Sequence, residues 1–418
     1  MFLIGCICIV IMVSKLDMVL TIGLYPDLSA LGVAQKIGKK RTSYGAVYKL
    51  LRKLNAESLV VVAGEKYALA QSQGAKALFR MVYFCFANSI DYNRVISGKT
   101  AEFVKLGFEK GLIEGLPFDA KTVKSIVSVL SRHGFAVVES RKPFACRIVY
   151  SRFLQHLVEY FGGKVSVACT SIADCVDETF LNSKLEKEFS AYRRAAKEMP
   201  SFDEAGFIHS SLSLEGNTLT LPETERLIRD NIPPASKPFK DAQEVLDYKK
   251  ALDKFLYGSP LTEDNLFAFH RIAMNSLASG AGEVRVQNVR IRGNPDFKTP
   301  DYQELPGLLA EFFKSAKKLG EGRKLSAVQL VERAAFLHNE FQRIHPFIDG
   351  NSRTSRAIFT KILVERGFPL VKIPVGFSDQ YMGLTKLSRK RDDKKFALLM
   401  KLIVLENLKM ASRKLEYA

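Results

Sequence analysis

Between two amphipathic helical runs the chain carries the loop His345-Pro346-Phe347-Ile348-Asp349-Gly350-Asn351, which neither helix can absorb. The first run opens on a capping box, Ser326 with Gln329, and its apolar residues Leu330, Ala334, Leu337, Phe341 and Ile344 keep helical spacing until His345-Pro346 stops it. The second presents Ile358, Phe359, Ile362 and Leu363 on its inner face and ends at Gly367-Phe368-Pro369. Such an arrangement sets the loop against a helix N-terminus, where backbone N–H groups are free and the helix dipole is positive. An anion belongs there. Asn351, Arg353 and Arg356 are placed to hold a pyrophosphate, the two arginines being three apart on one face. Asp349 offers a hard oxygen for Mg²⁺ beside the phosphates, and His345 at the other edge is the natural general base. Singly these residues have plain readings, a helix-terminal histidine and surface ion-pair arginines. Within one short stretch they point to phosphate chemistry.

At 418 residues the chain is too long for one ordinary core, so several domains are expected. Hydrophobic residues at 47% and charged residues at 25% are those of folded globular domains, and no segment is low in complexity. The formal charge of +18 is unevenly spread, since residues 1–168 hold 23 Lys and Arg against 11 Asp and Glu. That field would attract nucleic acid or an acidic surface, or simply aid solubility. The 6 cysteines form no Cys-x-x-Cys pair and have no zinc-finger spacing to histidine, so reduced thiols in a cytoplasmic protein are expected. The apolar opening from Phe2 to Val13 is shorter than the roughly 20 residues of a membrane helix. It also lacks a basic leader. A buried first helix, or a start at Met12 or Met18, is the expectation, and no membrane partner.

Residues 14–70 predict helix, helix, helix and hairpin. In the third helix Val47, Leu50, Leu51 and Leu54 share one face while Lys49, Arg52 and Lys53 occupy the other. Two β-rich runs, Leu59 to Ala63 and Lys66 to Leu69, flank a Gly64-Glu65 turn. The region 14–74 resembles a winged-helix domain that would take duplex DNA; a packing module with a solvated basic face fits the same residues. A similar order recurs within 75–165, with a helix near 120–133 and β runs at 135–139 and 145–150, read as a second winged-helix-like or helical domain, so duplex DNA is the partner expected through residues 14–165. Residues 166–202 are expected as a helical connector, with Leu181 to Lys197 a solvated helix.

The stretch 345–356 resembles the Fic family, whose signature is His-Pro-Phe-x-Asp-Gly-Asn-Gly-Arg-x-x-Arg, and departs from it only at Ser352, where the family has glycine. Ser211-x-x-x-Glu215-Gly216-Asn217 is similar to the inhibitory element of self-inhibited Fic proteins, which implies that Glu215 pairs with the second arginine, Arg356; a helix capped at Thr220 and Glu223 follows. Residues 282–300 look like the family's β-hairpin flap, which holds the target by strand addition. Tyr381-Met382-Gly383-Leu384 resembles a downstream motif near the nucleotide base, and a buried packing tyrosine fits it equally. The resemblance spans residues 203–405. It implies a mainly helical domain behind α+β winged-helix domains, and transfer of AMP from ATP with Mg²⁺ to a Tyr, Thr or Ser hydroxyl of a protein target. His345, Asp349, Asn351, Arg353 and Arg356 would be catalytic, with Asp349 on the metal. Phe347, Gly350, Asn351, Ser352, Arg353, Arg356 and Tyr381 would bind nucleotide, and Ser211, Glu215, Gly216 and Asn217 would regulate. Left open are another donor, removal of AMP, a homodimer, and a transcriptional regulator whose Fic domain only senses nucleotide.

Overall fold

The computed structural model describes residues 13–37, 44–196, 203–257, 260–291, 294–321, 325–388 and 390–416. The apolar opening from Phe2 to Met12, with Cys6 and Cys8, therefore lies outside the described residues, as do Arg292 and Gly293 of the expected flap. The chain falls into two compact units, residues 1–106, 117–129 and 152–166, and residues 107–116, 130–151 and 167–418.

In the first unit α1 (Lys15–Leu24), β1 (Leu28–Ser29), α2 (Ala30–Ile37), α3 (Tyr44–Ala56), β2 (Val60–Ala63) and β3 (Lys66–Leu69) follow one another. The sheet is antiparallel with order β1-β3-β2. Helix α1 is started by a capping box, Ser14 with Asp17. Its core is formed by Met18, Val19, Ile22, Val33, Val47, Leu51 and Leu54, each fully shielded, while Lys49, Arg52 and Lys53 stand in solvent. α4 (Gln73–Ala87), α5 (Tyr92–Val95), most of α6 (Gly98–Lys110) and α7 (Ala120–Arg132), and α8 (Arg152–Tyr160) complete it.

The second unit contains a small antiparallel sheet, β4 (Ile113–Glu114), β5 (Ala136–Arg141) and β6 (Phe144–Ile148) in the order β4-β6-β5. Its bulk is helical: α9 (Glu178–Ala195), α10 (Glu204–Ser213), α11 (Leu221–Asp230), α12 (Phe239–Leu256), α13 (Glu263–Ala273), α14 (Leu305–Glu321), α15 (Ala327–Ile344), α16 (Asn351–Val364), α17 (Ser378–Leu384) and α18 (Asp393–Glu416). The protein is mainly α, as the sequence implies. Helix α15 packs against α9, α14, α16 and α18, and α12 against α10, α11, α13 and α16. These contacts bring the α10 end, the α15–α16 loop and α12 together.

Three expectations are corrected. Helix α9 is solvated on one face only: Leu181, Leu185 and Tyr192 are buried where it packs on α18, because its apolar residues recur at helical spacing within the charged sequence. The segment 282–300 forms no strand among the described residues. Its arms are tied by side chains instead, Thr299 Oγ1 donating to the Val289 carbonyl at 2.8 Å and Arg285 binding three further carbonyls. Cys169 and Cys175 are not separate thiols but a disulfide, their Cα atoms 6.6 Å apart; Cys85 and Cys146 are free and buried. Among the described residues no helix is long and apolar enough to cross a membrane.

Candidate functional site

The capping box expected at Ser326 and Gln329 is present, and α15 runs from it to His345. That residue adopts the left-handed conformation, φ 51 and ψ 57, which turns the chain out of the helix. A non-glycine residue there is held against its preference. Arg285, almost wholly buried, holds it: Nε donates to the His345 carbonyl at 2.8 Å, and the Arg285 backbone N–H donates to the Pro346 carbonyl at 2.8 Å. Its guanidinium also binds the Gln287 and Pro300 carbonyls. Sequence reading gave Arg285 no role, since its partners are backbone atoms far along the chain.

The His345 ring faces a cavity of about 200 Å³, lined also by Glu215, Asp349, Gly350, Asn351, Ser352 and Lys386. Nδ1 lies 3.2 Å from the Gln342 carbonyl and so carries the proton, which leaves Nε2 with its lone pair. Burial disfavours the imidazolium and lowers its pKa to about 4, so the ring is neutral at pH 7.

The rest of the loop is built around Phe347, whose buried ring stacks on His270 with centroids 3.6 Å apart. Asn351 spends both ends of its amide on that residue, accepting from the Phe347 N–H at 3.0 Å and donating to its carbonyl at 2.8 Å. It is thus a brace for the loop. His270 accepts from the Gly282 N–H and so donates from Nε2 to the Asp349 carbonyl at 2.9 Å. Gly350 begins α16 with φ 80, and a Cβ there would stand 2.7 Å from Met274 Sδ and 2.8 Å from His270 Nε2. Only glycine fits. Ser352 lies in the first turn of α16, with ordinary helical backbone, and lines the cavity.

Asp349 is the exposed carboxylate of the site; its Oδ1 accepts from the Gly350 N–H at 2.6 Å and sits 3.8 Å from Arg353. The described residues hold no cluster of three metal-ligating side chains. Asp349 would hold Mg²⁺ through a hard carboxylate oxygen at the cavity wall, a donor that fits this ion.

The two arginines do not converge on one point. Arg353 pairs with the buried Glu244 at 2.8 Å, and Glu244 in turn accepts from Asn217 Nδ2 at 2.8 Å. Arg356 Nε donates to Ser211 Oγ at 2.9 Å, and its Nη2 to the Ser211 carbonyl at 2.8 Å and Glu215 Oε1 at 2.9 Å. Both guanidiniums sit behind the cavity wall rather than on it. Burial alone would raise the Glu215 pKa; Arg356, with Arg353 and Lys386, outweighs it and the carboxylate is lowered overall. Gly216 turns the chain at φ 96 so that Glu215 and Asn217 reach different arginine pairs. Tyr381 is buried away from the cavity, its hydroxyl 2.8 Å from His338 Nε2.

Residues 260–363, which hold the loop, both arginines, His270 and Arg285, match the family model described as Fic/DOC. Over that stretch the chain is similar to Fic domains. Over 222 residues it is 29% identical to the protein adenylyltransferase Fic of Drosophila persimilis, covering 51% of this chain and 41% of that protein. The relative of the same name in Drosophila erecta is also 29% identical, over 51% of this chain and 42% of its own length. The chain thus spans about two fifths of the curated relatives it matches. Among solved structures, Fic-1 (residues 134–508) from C. elegans superposes with a TM-score of 0.49 at 19% identity, over 57% of this chain and 74% of that one. A Fic-domain signalling protein from Bacteroides thetaiotaomicron gives 0.48 at 20% identity, over 56% and 98%.

Proposed function

We propose that this Fic domain is a protein adenylyltransferase that moves AMP from ATP to a Tyr, Thr or Ser hydroxyl of a protein target, and that Glu215 keeps it switched off. One observation carries the reading: a neutral histidine with a free Nε2 shares a cavity wall with a helix N-terminus, and the arginine behind that wall is held by a carboxylate. His345 Nε2 accepts the proton of the target hydroxyl as its oxygen bonds to the α-phosphorus. The bond from that phosphorus to the departing pyrophosphate breaks, and AMP stays on the protein. The N–H groups opening α16, with Arg353 and Arg356, stabilise the charge that develops. Mg²⁺, held by Asp349 together with the phosphates, would supply charge neutralisation. Asn351 keeps the loop in register, and Ser211 and Glu215 bind Arg356 in the off state.

The test is to incubate wild type, Glu215→Gly and Glu215→Gly/His345→Ala with labelled ATP, UTP or CTP and read self-labelling by intact mass. One added AMP on Glu215→Gly, little on wild type and none on the histidine variant is expected. Equal labelling of wild type and Glu215→Gly removes the autoinhibition, a UMP or CMP adduct changes the donor, and no labelling of any variant removes the transferase. A second reading, duplex-DNA binding by a winged-helix-like module over residues 14–74, is favoured by the exposed Lys49, Arg52 and Lys53 of α3.

A further inference from the structure

Glu215 faces two cations. Its Oε1 takes Arg356, and its Oε2 lies 3.7 Å from the Nζ of Lys386, which stands on the cavity wall about one third exposed. We propose that Lys386 is a second cation for the polyphosphate tail of the nucleotide, withheld by the same carboxylate that withholds Arg356. This rests on the function proposed above.

Three observations support the assignment. The first is partnership. Arg343 and Arg391 also line the cavity, but both are bound to Glu340, and Arg391 to Asp393 as well; Arg353 has Glu244. Lys386 has Glu215 as its carboxylate among the described residues, so removal of Glu215 frees it and leaves those arginines paired. The second is construction. Asn294, buried, donates from Nδ2 to the Lys386 carbonyl at 2.9 Å and to the Ser388 carbonyl at 2.7 Å, and Leu387 N–H returns to the Met382 carbonyl at 2.9 Å. The segment that carries Lys386 after α17 is therefore fixed beside the cavity rather than free to leave it. The third is chemistry. An ammonium that loses its carboxylate at a cavity opening on a helix N-terminus is left to water or to an anion, and a phosphate oxygen supplies a charge-assisted bond of the same kind as the one lost. Arg290, exposed on the same wall, has no carboxylate partner among the described residues in the first place. Its contribution should be the same whether Glu215 is present or absent, which makes it the internal control.

Binding of ATP, ADP and AMP with Mg²⁺ is measured by calorimetry on full-length protein in two backgrounds, wild type and Glu215→Gly, each with and without Lys386→Met and Arg290→Met. In the Glu215→Gly background Lys386→Met should weaken ATP by about tenfold or more, the size of a lost charge-assisted hydrogen bond. AMP should change less than about twofold, and Lys386→Arg should restore most of the ATP affinity. In wild type the same substitution should change ATP binding little, so the two substitutions are not additive, whereas Arg290→Met should give equal effects in both backgrounds. Equal effects of Lys386→Met in both backgrounds, equal losses for ATP and AMP, or no loss at all would overturn the proposal. Because binding is read without transfer, a Glu215→Gly protein that binds ATP through Lys386 but labels nothing leaves this assignment standing and removes the transferase instead.

Discussion

The module formed by α1–α3 and its hairpin and the region from α10 to α18 use charge in opposite ways. In the former no Lys or Arg among the described residues is buried, and Lys49, Arg52 and Lys53 stay in water. In the latter Arg353, Arg356, Lys361 and Lys401 are all buried, and each is matched to specific acceptors: Glu244, Ser211 with Glu215, the Phe255 carbonyl with Glu365, and Glu178 with Glu332. A cation in water is positioned by nothing and screened by salt. A buried one is positioned by its partner, so exchanging the partner changes what it does. The second arrangement is the one the proposed regulation calls for.

The sharpest way to break this contrast is to delete one buried cation. Arg356→Ala leaves the buried Glu215 carboxylate with only the longer contact to Lys386, and should cost about 3 kcal/mol in denaturant unfolding, with Glu215→Ala/Arg356→Ala recovering much of it. Lys53→Ala on α3 should cost no more than about 0.5 kcal/mol. Similar costs for the two would mean that burial of charge is not what distinguishes the regions.

Next in size is the response to acid. Burial lowers the pKa of His133, His209, His270 and His345 to about 4 and of His338 to about 3, all in the second unit. Each is below its unfolded value of about 6.5. The unfolded chain therefore binds protons first, and stability present above pH 6.5 is lost as pH falls toward 4. Hydrogen exchange at pH 7.5, 6 and 5 should show amides of α15 and α16 losing protection while those of α1 and α3 keep theirs. Uniform loss along the chain would contradict it.

Salt offers a third comparison. Binding of duplex DNA by the N-terminal module should weaken steeply with salt, and charge reversal at Lys49, Arg52 and Lys53 should abolish it, since each phosphate contact contributes about −0.9 to the log–log slope. ATP binding by Glu215→Gly protein, through partly buried groups, should show the shallower slope. Gel shifts and calorimetry across the same salt series measure both, and a flat DNA slope would count against phosphate contacts.

The smallest effect is expected at Ser352. Its backbone is helical, so the position does not need the freedom of glycine. Ser352→Gly should change transfer by less than about threefold and lower stability by about 0.5 kcal/mol, the difference in helix propensity. A large gain in transfer would mean that the hydroxyl obstructs the phosphates.

The helix–loop–helix was legible because its signals are local: a capping box three residues wide, apolar spacing within one helix, and a stop at His345-Pro346. The need for glycine at Gly350 could be suspected from the loop, but its reason, Met274 and His270 at the missing Cβ, could not. Glu244, Arg285, His270 and Lys386 gave no signal, because each is an ordinary residue of a helix or loop until folding brings its partner. Alternation over 282–300 suggested a hairpin, yet the segment is secured by side chains that satisfy its carbonyls without a ladder. The six-residue separation of Cys169 and Cys175 carries no recognisable motif, and the turn between them sets their pairing.

The sequence by itself determined the local pieces, the helices, their caps and the phosphate-type loop with His345, since these depend on neighbours within a few residues. The resemblance implied that Glu215 holds Arg356, as it does; that Glu244 holds Arg353 was decided by the tertiary structure alone. Glu215 and Arg356 lie 141 residues apart, and their pairing requires α10, α12 and α16 to pack together first. Once buried, an arginine cannot remain without an acceptor, and the packing leaves each of these two a different one.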